Sequence, residues 1–151
     1  MSQIASAFAV PPSALPEVQR CLSAGDWSGF WRSLRPFAVE ATFPYSGYVV
    51  VVAVKYLREL GIDLPVSLDS VVRLLVERCD PLACASRPEA TAAAAALAGV
   101  NVSDAALAAY WHDFTGYGGS EAGAAMRAAL DWLQQALADG QESDWCIILE
   151  G

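Results

Sequence analysis

The spacing of hydrophobic and polar residues along this chain is that of amphipathic α-helices. In residues 67–79, Asp69, Arg73 and Glu77 follow one another four residues apart on what would be a solvated face. The opposite face collects the apolar residues of the segment: Leu68, Val71, Val72, Leu75, Val76 and Cys79. The pattern predicts a helix over residues 67–79 whose apolar face is buried. The charged residues form a solvated face and are not expected to be part of a binding or catalytic site.

Six further helices are predicted from the same spacing and from residues that favour helix ends. They begin near residues 13, 27, 46, 88, 103 and 120, and the last of them ends near residue 140. Ser103 and Ser120 are expected to cap the two helices that follow them. In the second helix Trp27, Phe30, Trp31 and Leu34 recur at helical intervals and are expected to pack in the core, with a ligand platform as the alternative.

Residues 46–60 carry conflicting signals. The run of valines at 49–54 favours a strand by propensity. Ser46 as a cap, the polar stripe near the end and Gly61 as a C-terminal glycine favour a helix. The length of the segment decides for a buried helix, although the sequence leaves helix or strand open for residues 49–54.

Two short segments are candidates for strands. Residues 145–149 form an apolar run, and residues 37–43 alternate loosely, although a helical turn is an alternative for the second segment. Because a lone strand is unstable, residues 145–149 need to pair with residues 37–43 or with the edge of a partner. We therefore expect a mainly α fold over residues 1–151, a single-domain bundle of about seven helices with at most a minimal two-stranded sheet.

The composition is that of a globular protein, with 55% hydrophobic and 17% charged residues among 151. The strongest apolar stretch, residues 48–56, is too short to span a membrane, and the first residues lack the positive charges of a signal peptide. The four cysteines show no CxxC spacing, so we expect reduced thiols and a cytoplasmic location.

The negative charge is concentrated in the second half of the chain. The net charge is −8, and in residues 101–151 Arg127 is the one basic residue against eight acidic ones. Nucleic acids and anionic membranes would be repelled by such a surface, whereas a basic protein would be attracted. The alternative is that these acidic residues serve only to keep the protein soluble.

No pattern for catalysis, metals or cofactors stands out. His112 is the single histidine, and Asp113 beside it would point about 100° away on a helix. Cys79, Cys84 and His112 lack zinc-ligand spacing, and the glycines at 116–119 match neither common phosphate-binding motif. We therefore expect a protein that is not an enzyme and that holds neither metal nor cofactor.

Acidic residues in the last third of the chain are interleaved with aromatic ones, a combination suited to a protein interface. Carboxylates would attract a cationic partner over a distance, and aromatic side chains would anchor the contact. The expected partner-binding residues are Asp104, Trp111, Asp113, Tyr117, Glu121, Asp131, Asp144 and Trp145.

The chain resembles the small acidic immunity proteins that bacteria make beside secreted toxins. The shared features are length, helical content, an excess of acidic residues, the absence of a catalytic motif and a terminus such as SDWCIILEG. The resemblance implies a cytoplasmic inhibitor that covers the active site of a toxin, with a nuclease as a suitable target. One alternative is a small-molecule or enzymatic pocket near Trp27, Trp31 and the glycine loop. Another is a homo-oligomeric scaffold that pairs through the C-terminal strand.

Overall fold

The computed structural model describes residues 4–39 and 43–151. Seven helices lie in these ranges: α1 (Leu15–Ser23), α2 (Trp27–Leu34), α3 (Gly47–Glu59), α4 (Arg73–Cys79), α5 (Arg87–Ala98), α6 (Asp104–Thr115) and α7 (Ala122–Ala138). Three strands accompany them: β1 (Ala5–Val10), β2 (Ala83–Ala85) and β3 (Trp145–Glu150). The mainly α, seven-helix prediction is thus confirmed.

The three strands form one antiparallel sheet in which β3 lies between β1 and β2. Cys146 and Ile148 on β3 point into a core built with α3, α5, α6 and α7. Ile147 and Leu149 point the other way, into a core built with α1, α2 and α4. The sheet therefore lies between two helical layers, and both of its faces are buried.

The predicted pairing of the C-terminal strand is wrong, because β1 and β2 occupy its two sides. The sheet has three strands where at most two were expected. Of the predicted segment 37–43, residues 40–42 lie outside the described part of the chain. Phe37 ends a short 3-10 turn, and Ala38 forms an isolated antiparallel bridge with Phe8 of β1, not with β3.

The helix interpretation of residues 46–60 is confirmed. The side-chain oxygen of Ser46 accepts a hydrogen bond from the Tyr48 amide, and Gly61 follows the helix with a φ of +83°. Val49, Val50, Val52 and Val54 are buried, so most of the valines that favoured a strand are in the core as part of a helix. Tertiary packing here outweighs the β propensity of single residues.

Residues 67–79 contain less helix than predicted. The Ser67 amide donates to the carbonyl of Cys84 in β2, so the chain stays extended until Asp69 caps a 3-10 turn at Ser70–Val72. Leu68 is consequently 94% exposed, and the expected burial of Leu68 and Val71 is wrong. The α-helical part begins only at Arg73.

Arg87 at the start of α5 connects the helical layer to the central sheet. Its side chain is 7% exposed, and its Nη1 donates to the Leu137 carbonyl near the end of α7 at 2.8 Å. Its Nη2 lies against Gly140, in the turn that leads from α7 to β3. Within the described chain, Nε and Nη2 have no hydrogen-bond partner. This buried guanidinium therefore contacts both the end of α7 and the turn that leads into β3.

Candidate functional site

The turn between α6 and α7 carries Tyr117, whose side chain projects into solvent. Gly116 ends α6 with a φ of +76°, a conformation that glycine adopts without steric cost. The Thr115 hydroxyl donates to the Trp111 carbonyl at 2.8 Å and accepts from the Tyr117 amide at 3.1 Å. The backbone of the turn is therefore fixed, while the Tyr117 side chain is 76% exposed.

Two further aromatic side chains near this turn are anchored from below. The Trp111 indole meets the Tyr48 ring edge-on, with centroids 5.9 Å apart. The Tyr45 ring lies 5.8 Å from that of Phe43, which in turn lies 5.9 Å from that of Trp132 in the core. Trp111 and Tyr45 thus present ring surface whose position is set by the packing beneath it.

These side chains line an open groove of about 260 Å³ between the start of α3 and the α6–α7 turn. Its lining is formed by Tyr45, Ser46, Val49, Trp111, Tyr117, Gly118, Gly119, Glu121, Ala122 and Ala125. We call it the aromatic groove. Glu121 is the one charged residue of this lining, and no ion pair engages it within the described chain. Gly118 and Gly119 leave one side of the groove without side chains.

The structure brings together three of the eight predicted partner-binding residues, since Trp111, Tyr117 and Glu121 all line the aromatic groove. Asp113 is exposed on α6, between Trp111 and Tyr117 in the chain, although it does not line the groove. These four residues form the candidate site. The Ser120 cap expected beside it is absent, because α7 begins at Ala122 with Glu121 as its N-terminal neighbour and no side-chain cap.

The other four predicted residues lie elsewhere. Asp104 accepts a hydrogen bond from Arg127 Nε at 3.1 Å, and Asp131 lines a separate depression between α5 and α7. Asp144 is 8% exposed and accepts from the Gln141 amide at 2.8 Å. Trp145 is 9% exposed and packs between β3 and the α1–α2 layer. Asp144 and Trp145 are therefore largely buried at the start of β3 and offer little surface to a partner.

Sequence reasoning missed the contribution of α3 to this site. Tertiary packing brings the Tyr48 ring against Trp111 of α6 and places Tyr45, just before α3, in the groove lining. The signal that could have pointed to them is the pair of tyrosines around the Ser46 cap, which stand apart from the apolar run that follows.

The face between α3 and α6 continues the aromatic surface beyond the groove. The Tyr110 ring packs 4.8 Å from that of Tyr56 and stacks 6.1 Å from that of Phe114. The Lys55 ammonium lies 5.4 Å from the centroid of the Phe114 ring, within the range of a cation–π interaction. Burial raises the pKa of the Tyr110 hydroxyl, and the carboxylate of Glu59, 3.4 Å away, adds to the effect.

A second depression lies on the opposite side of the sheet. Its volume is about 210 Å³, and it is lined by Trp27, Phe30, Trp31, Arg78, Cys79, Leu149 and Glu150. Phe30 and Leu34 are buried as predicted. The core prediction is wrong for Trp27, which is 49% exposed, and for Trp31 at the rim of this depression. The glycines of the α6–α7 turn line the aromatic groove, so they do not share a pocket with Trp27 and Trp31 as the small-molecule alternative expected.

The cysteines are free, and the buried ones resist ionisation. Burial raises the pKa of Cys84 to about 12 and the pKa of Cys146 to about 11. Among the described residues no cluster of three or more histidine, cysteine or carboxylate side chains could hold a metal ion. In residues 4–39 and 43–151, no helix is both long enough and apolar enough to cross a membrane.

Comparison with known proteins gave no match to a family model, a curated protein or a solved structure.

Proposed function

We propose that this protein is a non-catalytic inhibitor that binds a basic protein and covers its active site. The candidate target is a toxin such as a nuclease, as the resemblance to immunity proteins implies. In this proposal the protein acts in the cytoplasm, and it binds neither nucleic acids nor anionic membranes, because its acidic surface would repel their phosphates.

The observation that carries the proposal is the composition of the aromatic groove. Trp111 supplies a ring held by its contact with Tyr48, and Tyr117 supplies an exposed ring on a turn of fixed backbone. Glu121 lines the same groove and forms no ion pair within the described residues. Aromatic side chains dominate the binding energy of many protein interfaces because they bury much surface at a low entropic cost. The structure thus supports an anchor point beside an acidic group.

The charge around the groove favours a cationic partner. Arg127, the single basic residue of positions 101–151, is already bound by Asp104 and by the Val102 carbonyl. Asp113 and Glu121 are exposed and without ion pairs in the described part of the chain. Unpaired surface carboxylates accelerate association with a basic protein, and the acceleration falls as salt is added.

The experiment is a comparative affinity capture from the source lysate with quantitative mass spectrometry. Wild type is compared with the charge-reversal variant Asp113→Lys/Glu121→Lys and with the control Glu77→Lys, whose exposed side chain lies on α4 in the opposite layer. We expect a basic protein that wild type and the control retain and the double variant loses. Equal recovery by all three proteins would refute the groove as the binding site.

A second candidate function is the binding of a small molecule by the depression between α2, α4 and β3. The observation in its favour is that Arg78 and Glu150 converge on two exposed indoles, and neither forms an ion pair within the described residues. Pockets with a few converging polar groups are typical of ligand sites. A metabolite that raises the melting temperature of wild type but not of Trp27→Ala would support this function.

A further inference from the structure

The aromatic groove has the chemical composition of a site for an organic cation. Tyr45, Trp111 and Tyr117 line it with π-surface, and Glu121 is its one charged residue. The faces of aromatic rings are electron-rich and attract ammonium and guanidinium groups. A carboxylate among such rings adds a full negative charge, so the groove favours a cation over a neutral apolar group.

The size of the groove suits a single side chain. Pockets for drug-sized molecules have volumes of roughly 300–1,000 Å³. The aromatic groove, at about 260 Å³, is smaller and open to solvent. An arginine or lysine side chain that enters from a partner's surface matches these dimensions better than a cofactor does.

No basic group of the described chain fills this role, since the groove lining contains neither lysine nor arginine. The nearby surface already uses the same interaction once. Lys55 places its ammonium over the Phe114 ring, one helical turn beyond Trp111 on α6. The aromatic groove therefore has the ring surface of such a contact without the cation.

The N-terminus of α7 disfavours the binding of a cation in the groove. The first residues of α7, Ala122 and Ala125, line the groove, and the start of a helix carries a partial positive charge of about half a unit. Glu121 stands directly before this helix with a full negative charge. The carboxylate outweighs the helix dipole, and together with the three rings it makes the groove selective for cations.

We propose that the aromatic groove binds the guanidinium or ammonium group of an arginine or lysine side chain, which lies on the rings of Trp111 and Tyr117 and pairs with Glu121. The inference rests on the proposed function only for the source of the side chain, namely a basic protein partner. The groove's preference for a cation can be tested without that partner.

The test is an NMR titration of the full ¹⁵N-labelled chain with N-acetyl-arginine amide. N-acetyl-citrulline amide, which has the same shape without the charge, is the matched ligand control. We expect saturable shifts of the Gly118 and Gly119 amides and of the Trp111 indole N–H in the millimolar range. The citrulline derivative should leave these signals in place, because it lacks the charge that the rings and Glu121 recognise.

Variants locate the binding energy. Tyr117→Ala and Glu121→Gln should each weaken binding of the arginine derivative about two- to fivefold, the effect typical of one exposed cation–π contact or surface ion pair. The controls are Phe114→Ala, on α6 outside the groove lining, and Glu77→Gln, an exposed carboxylate on α4 in the opposite layer, and they should leave the affinity unchanged. Tyr117 is so exposed that its removal should not disturb folding.

Three results would overturn the cation site: no shift at tens of millimolar, equal shifts with the citrulline derivative, or stronger binding of N-acetyl-glutamate at the start of α7. Any of these would leave the capture experiment free to succeed with another mode of contact. Conversely, selective binding of the arginine derivative together with a failed capture would refute the proposed inhibitor and retain the cation site.

Discussion

Gly140→Ala should destabilise the protein far more than an ordinary substitution in a turn. Gly140 has a φ of +111°, a conformation that costs a residue with a side chain about 1–3 kcal/mol. An added Cβ would also lie 3.0 Å from Arg87 Cζ, closer still to Arg87 Nη2, and 3.2 Å from the Ala9 Cβ. Because Arg87 is 7% exposed and bound to the Leu137 carbonyl, it cannot move aside without loss.

The two effects together predict a loss of about 2–6 kcal/mol, with roughly 1–3 kcal/mol of it from the overpacking against Arg87. The matched control is Gly61→Ala, because Gly61 has a φ of +83° and nothing within 4 Å of the added Cβ. This control should show the backbone cost alone. The free energy of unfolding is measured by urea titration with circular dichroism.

A double-mutant cycle isolates the contact. In the Arg87→Ala background, Gly140→Ala should cost less than in wild type, because the guanidinium that blocks the Cβ is gone and the Ala9 Cβ, 3.2 Å away, is the next contact. If Gly140→Ala costs the same in both backgrounds, or if in wild type it costs no more than Gly61→Ala, the guanidinium does not pack against this turn. Such a result would contradict the packing of the Arg87 side chain against the turn before β3.

Three other predictions concern the fold. Ser103→Ala should lower the free energy of unfolding by about 1 kcal/mol, whereas Ser120→Ala should leave it unchanged, because Ser103 caps α6 and α7 begins without a side-chain cap. Leu133→Ala should cost about 2–5 kcal/mol and the exposed Leu68→Ala less than about 0.5 kcal/mol, both by urea titration. Burial raises the pKa of Cys84 from 9.0 to about 12, so above pH 9 the unfolded thiol loses its proton before the folded one. The free energy of unfolding that Cys84 contributes is therefore lost as the pH rises from about 9 to about 12. Between pH 8 and pH 11, the free energy of unfolding should decline less for Cys84→Ala than for wild type. An equal decline would contradict the raised pKa of Cys84.

The helices were predictable because their determinants are local. Ser103 and Ser46 cap the helices that follow them, and apolar spacing marks the buried face of α7. Strand β1 was missed because both of its faces are buried. In the sequence Ala5–Val10 the one polar residue is Ser6, so the strand lacks the alternation that reveals a half-buried strand.

The errors elsewhere come from contacts between distant segments. Helical spacing placed Leu68 in the core, but the pairing of the Ser67 amide with the Cys84 carbonyl keeps that segment extended. Spacing likewise cannot show that Trp27 lies at a rim and Phe30 in the core of the same helix. Periodicity gives the face of a helix, whereas its neighbours decide how much of that face is covered.

The candidate site was predictable in its chemistry and only partly in its geometry. Trp111, Tyr117 and Glu121 are close in the chain, and the α6–α7 turn keeps them together. Trp145 failed as an anchor because β3 is the central strand and its side chains are enclosed by helices. Tyr45 was missed because it reaches the groove from a segment more than sixty residues away in the sequence.

Hydrogen–deuterium exchange of the protein with and without its captured partner tests the central claim most directly. We predict protection of residues 111–121 and of the first turn of α3, because these segments form the aromatic groove, while α2 and α4 exchange as in the free protein. Protection confined to α2, α4 and the end of β3 would contradict the account and place the partner on the opposite side of the sheet.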